Sequence, residues 1–219
     1  KIVVHYKEED LLLNPKLETG DMEITGDSEE QKKAREMAKK WREEAAKATP
    51  DVRVEDGELL HVGTLDLRCV HAPGHTDGHL CLFLEQERLL FAGDNVLGVG
   101  TAAIAPPPHG DMAQYVRSLK KMQALDAALL APGHGPMVKE PNRKLQELID
   151  HRQQREDQIV SLIASGKSDV KSLVKAIYPE LDKRLLQMAT GQAISHLHKL
   201  QSEGKLKLEG EGADTKVVV

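Results

Sequence analysis

Three short stretches govern what this chain can fold into: HAPGHTDGHL (residues 71–80), LLFAGDN (89–95) and LLAPGHG (129–135). In each, a β-like run ends at a turn that contains glycine. One metal-capable side chain then appears: His75, Asp94 and His134. Neighbouring strands lie only about 4.8 Å apart, so side chains just beyond strand ends converge at one edge of a sheet. Glycine beside them admits backbone angles that other residues resist, which lets the side chain be aimed inward. Imidazole and carboxylate suit Zn2+ at bond lengths of about 2.0–2.2 Å. A carboxylate also has two oxygens with which to bridge two cations. One Gly-His pair in a loop is ordinarily only a loop, but three such turns at successive strand ends predict a metal site.

The flanking sequence reads as mixed helix and strand. KIVVH at the start is a short strand, and residues 11–27 are turn-rich and expected to be irregular. Ser28 caps a helix with Gln31 three residues on. Ala34, Met37, Ala38, Trp41 and Ala45 share its apolar face, with Trp41 expected as a packing anchor. Three β-like runs follow between Val52 and His71, and LDLRCVH alternates as a half-buried strand does. Residues 79–92 predict a hairpin turning near Gln86-Glu87. Met112, Tyr115, Val116, Leu119 and Met122 mark one face of another helix, and DAALLAPGHG a further strand. After Pro141 the order is helix, helix, helix and a β-like pair around a Gly/Asp turn. That is the order of a winged helix. The predicted organisation is residues 1–150 as one unit and 151–219 as a second.

Bulk properties narrow the class. Of the 219 residues 40% are hydrophobic and 30% charged, a balance that supports a packed core. No apolar run approaches the roughly 20 residues needed to span a bilayer, so no membrane role is expected. Residues 1–150 carry 19 Lys and Arg against 26 Asp and Glu; residues 151–219 carry 11 against 9, a mild excess of +2. Cys69 and Cys81 sit inside strand-like runs and do not make a disulfide framework, which points to a reducing, intracellular compartment. The chain starts at Lys1 without methionine or a signal-peptide pattern.

APGHTDGHLCLFLEQERLLFAGD followed by LLAPGHG resembles the metallo-β-lactamase-fold hydrolases, from about Val52 to Pro136. The helices after PGHG, through AIYPELDKRLLQMATGQAISHLHKLQSEGKL, look like the winged-helix extension of the lactamase-beta-2-like branch, which includes endoribonucleases acting on single-stranded RNA. The resemblance implies an α+β fold: the C-terminal portion of an αββα sandwich, followed by a small winged-helix-like domain. It implies two zinc ions per intact enzyme. His75 would be the third ligand of the first, Asp94 the bridging carboxylate, and His134 a ligand of the second. His79 matches a histidine that does not normally bind metal and is expected, with Asp77, to support the ligands from outside. The family's H-x-H-x-D-H motif, with four more ligands, is absent between Lys1 and Asp66. A preceding segment of about 70–90 residues is therefore expected to carry it, together with the general acid or base. The alternative is a degenerate, non-catalytic relative.

The remaining histidines read as non-ligands. His5 stands alone, His61 lies in a strand, His71 ends one, and His109 and His151 are expected at the surface. His196 and His198 are two apart on a helix and so point in different directions. The expected activity is hydrolysis by metal-bound hydroxide, with single-stranded RNA as substrate. The competing substrates are a thioester or lactone, as for glyoxalase II, and the competing class is a nucleic-acid-binding protein without catalysis. RNA recognition would ordinarily use stacking aromatics, and these make up only 3% of the chain. A homo-oligomer and a cytoplasmic or mitochondrial location are compatible with this reading.

Overall fold

The computed structural model describes residues 1–13, 28–45, 47–182 and 185–218. Strand β1 (Val3–His5) leads through a single 3-10 turn (Tyr6–Glu8) into α1 (Glu9–Leu13). Leu11–Leu13, expected to be irregular, are thus helical; residues 14–27 lie outside the described residues. After α2 (Glu29–Ala45) the chain returns as β2 (Val52–Val54), parallel to β1 with Val3 opposite Val52. Parallel neighbours need such a crossover, and a helix supplies it. Met37, expected on the covered face of α2, is 74% exposed. The anchoring role expected of Trp41 falls outside the described side chains.

The main sheet has five strands in sequential order: β3 (Leu59–Val62), β4 (Leu65–His71), β5 (Leu80–Leu84), β6 (Leu89–Gly93) and β7 (Leu129–Pro132). The first four run antiparallel and β7 lies parallel to β6, with α3 (Met112–Gln123) as the crossover. This arrangement decides where the glycine turns go. β6 and β7 end on the same edge because they are parallel, and β5 starts there because it is antiparallel to β6. All three turns therefore meet at one edge.

Asp111 caps α3, its side chain accepting from the Gln114 amide at 2.8 Å. Met112, Tyr115, Leu119 and Met122 of that helix are buried with Val70, Cys81, Phe83, Leu90 and Leu130 of the sheet. Each such large apolar side chain contributes about 1.5–3 kcal/mol on burial. The other face of the sheet is more open, with Phe91 40% exposed.

Helix α4 (Pro141–Ala164) belongs to two cores. Leu145 and Leu148 pack in the sheet core. Ile159 packs with α5 (Val170–Ile177) and α6 (Leu186–Ser202) through Leu173, Val174, Leu197 and Leu200. The boundary expected at residues 150/151 falls inside this helix. The antiparallel pair β8 (Lys207–Glu209) and β9 (Lys216–Val218) closes the second core with Val217. Helix, helix, helix and hairpin thus occur in the order read from the sequence. No helix among the described residues is long and apolar enough to cross a membrane.

Candidate metal centre

The Asp94 turn is held from beneath. Gly93 has φ +52, and a Cβ there would stand 2.8 Å from Nε2 of His79. Its carbonyl accepts from the Gly133 amide at 2.8 Å, joining the ends of β6 and β7. At Gly133 a Cβ would lie 2.4 Å from Asp94 Oδ1. The carboxylate therefore rests over a peptide that only glycine leaves uncovered. His134 follows, with Nε2 3.5 Å from the same Oδ1. Its carbonyl accepts from the Gly98 amide at 2.8 Å.

The His75 turn is fastened to α3 and to the N-terminal strand. Gly74, at φ +130, lies so close to α3 that a Cβ would meet the Tyr115 amide nitrogen at 2.3 Å. Ser118 Oγ donates to Pro73 O at 2.7 Å. Glu8 accepts from Thr76 Oγ1 at 2.9 Å and from the Gly78 amide at 2.7 Å. Buried Asn95 donates to Ala72 O at 2.6 Å, and Tyr115 donates to Asn95 O at 2.9 Å. The turns bearing His75 and Asp94 are thereby tied together.

His75 Nδ1 lies 2.9 Å from the carbonyl of Ala103. A carbonyl only accepts, so Nδ1 carries a proton; in the neutral ring this leaves the lone pair on Nε2, the tautomer a metal ligand requires. Its ring stands edge-on to that of His79, centroids 6.1 Å apart. Burial, reinforced by His75 and His71, lowers the His79 pKa to about 4, so this imidazole is neutral at neutral pH. It braces Gly93 against the sheet. Asp77 is placed differently from its neighbours: its carbonyl accepts from His71 Nε2 at 2.8 Å, and its exposed carboxylate lies 3.7 Å from Lys7.

Residues His75, His79 and Asp94 share a cleft of about 360 Å3 with Val3, Val4, His5 and Glu8. His5 does not stand alone: it is buried and stacks on His71, ring centroids 3.9 Å apart and 7° from parallel. Burial, then the neighbouring His71, lowers its pKa. His5 and Glu8 were not expected at the site, although His5 also sits at the end of a β-like run. His61 is exposed and lies 2.5 Å from Asp66. His109 borders a smaller cleft with Thr76 and Asp77. His151 differs from expectation. It is half-buried rather than solvated, with Nδ1 lacking a partner.

The arrangement thus brings Asp94 against His134, and places Asp94 and His75 on one cleft. Among the described residues, no group of three or more His, Cys, Asp or Glu side chains closes into a cage. The donors are nevertheless of the right kind: a carboxylate with an open approach over glycine, and an imidazole whose other nitrogen is committed to a carbonyl.

A sheet edge with glycine-framed imidazole and carboxylate turns, followed by a winged helix, defines a metallo-β-lactamase-type architecture. Residues 1–134 match the metallo-beta-lactamase superfamily and residues 170–214 the beta-lactamase associated winged helix domain. The chain belongs to the metallo-beta-lactamase superfamily. A beta-lactamase-like protein 2 homolog of Drosophila melanogaster is 36% identical over 65% of this chain and 48% of its own length. An atrochrysone carboxyl ACP thioesterase of Paecilomyces divaricatus is 33% identical over 69% of this chain and 50% of its own. The chain spans about half the length of the curated relatives it matches. A beta-lactamase domain protein from Burkholderia ambifaria shares the fold over 100% of this chain and 64% of its own, with a TM-score of 0.75 at 21% identity.

Proposed function

We propose that this chain is part of a zinc-dependent hydrolase with two metal ions, in which His75, Asp94 and His134 supply ligands, and that the bond cleaved is a thioester or related carbonyl ester. The observation that carries the reading is the Asp94 carboxylate over Gly133, with His134 beside it and the free Nε2 of His75 at the same sheet edge. A divalent metal held by these residues would polarise a substrate oxygen and lower the pKa of water toward about 7. The chain's own contribution is orientation. Ala103 fixes the tautomer of His75, Gly133 leaves room for Asp94, and His79 holds the turn between them.

The cleft favours an acyl substrate over RNA. Val3, Val4 and Leu80 line it, and among the described residues no Lys or Arg does. A nucleic-acid track needs cations for its phosphates. In the winged helix, Lys199 and Lys205 are engaged by Glu156, and Lys171 by Asp214. Relatives named as thioesterases point the same way.

The test incubates the natural gene product, loaded with zinc, with a glutathione thioester and separately with a single-stranded RNA. Thioester hydrolysis that is lost in Asp94→Ala is the expected result. Cleavage of RNA alone would transfer the same centre to phosphodiester chemistry. Failure to bind metal, or inertness toward both substrates with metal bound, would overturn the hydrolase reading in favour of a binding protein.

A further inference from the structure

A second cleft, of about 290 Å3, opens between α4, the residues after α5, α6 and the segment Thr101–Ala103. It shares no lining residue with the cleft at the Asp94 turn and meets the proposed site only through Ala103, whose carbonyl holds His75. Its volume lies just below the usual range of small-molecule sites, about 300–1,000 Å3. Its lining combines apolar side chains, Ile177, Leu181, Leu185 and Met188, with cationic or basic ones, Arg152, Arg155, His151 and His196. Among the described residues no carboxylate lines it.

Arg152 is the unusual member. It is only 4% exposed, yet all its partners are uncharged: Nη2 donates to Ala102 O at 2.7 Å, Nη1 to Gln192 Oε1 at 3.4 Å, and the guanidinium lies over the Tyr115 ring, 5.2 Å from its centroid. No described residue partners its Nε. Among the described residues no carboxylate neutralises it, and a buried charge without a counter-ion is costly. Arg155 stacks over Tyr178, 4.6 Å from the ring centroid, and donates to Gln158 at 2.6 Å; it too shows no carboxylate partner. His196 is 1% exposed, and neither ring nitrogen has a partner among the described residues. The unmatched polar atoms of Arg152, His151 and His196 therefore collect around one cavity.

We propose that this cleft binds a small amphipathic oxyanion, a carboxylate or phosphate monoester. Its head group lies on Arg152 and Arg155, and its short hydrocarbon body against Leu181 and Met188. Guanidinium groups suit such heads because they pair with two oxygens at once. An anion there also gives the ring N–H groups of His151 and His196 an acceptor.

The test titrates the full chain with octanoate, octyl phosphate, inorganic phosphate and octanol, by calorimetry and thermal unfolding. Saturable binding of octanoate or octyl phosphate, with Kd below about 1 mM, is expected, and which of the two binds more tightly identifies the head group. Phosphate alone and octanol should each bind at least about tenfold more weakly. Arg155→Gln, a half-exposed position, should weaken the amphiphile about tenfold, as should Leu181→Asn. Asp94→Ala should leave binding intact, which keeps this result separate from the fate of the hydrolase reading. The ring nitrogens of His196 should shift on titration in nitrogen NMR. Absence of saturable binding, octanol binding as tightly as octanoate, insensitivity to Arg155→Gln, or loss of binding in Asp94→Ala would each overturn the proposal.

Discussion

Two sets of imidazoles are placed in opposite ways in this chain. At the sheet edge, His75 and His134 stand partly or largely open to solvent, each next to a glycine, and one is oriented by a backbone carbonyl. Between the helices, His196 is wholly enclosed and His151 half so; both ring nitrogens of the first and Nδ1 of the second meet no partner among the described residues. The first set is arranged for an incoming ligand by short local turns. The second is defined by tertiary packing, and its cost is carried by the surrounding core. A histidine's role here follows from where its second nitrogen goes, more than from its exposure.

The largest effect that would sharpen this contrast is on activity. Asp94→Ala should reduce hydrolysis by more than the roughly 10–100-fold that loss of an outer partner costs, measured as kcat/KM on the natural gene product. A residual rate near that of the parent would remove the distinction between the two sets. Next comes the support under the edge. Gly74→Ala places a methyl 2.3 Å from the Tyr115 amide at φ +130, and should destabilise by about 3 kcal/mol in denaturant unfolding.

A smaller effect concerns acid. Burial lowers the pKa of His79 to about 4 and that of His196 to about 3, both from an ordinary 6.5. The folded state therefore holds fewer protons than the unfolded one below 6.5. Stability should fall as the pH drops from 6.5 toward 4. Urea midpoints measured across that window should decline, and His196→Leu should flatten the decline. An equal slope in the variant would show that the enclosed imidazole does not titrate as its burial requires. The smallest effect belongs to an exposed histidine outside both sets: His61→Ala, which loses the contact to Asp66, should change stability by less than about 0.5 kcal/mol.

The site turns were legible because their chemistry is local: an apolar run, a glycine and a ligand lie within ten residues. The winged helix was legible because the order of elements alone defines it. His5 was not, because its place depends on β1 pairing with β2 across the intervening helix, and on a stack with His71. Glu8 escaped for the same reason; the groups that donate to its carboxylate, on Thr76 and Gly78, are some seventy residues away. Burial of His151 and His196 depends on which helices meet, information that spacing along one helix does not contain. The exposed Met37 shows the converse error, since an amphipathic pattern in α2 does not guarantee a partner for its apolar side.

Helix α4 spans 24 residues without interruption, about 36 Å at 1.5 Å per residue. Its first half is mortared into the sheet and its second into the winged helix. A graft that moved the C-terminal module onto another member of the superfamily would therefore have to carry this whole rod with it, and a cut at its midpoint would leave two stumps, each missing part of its own interior.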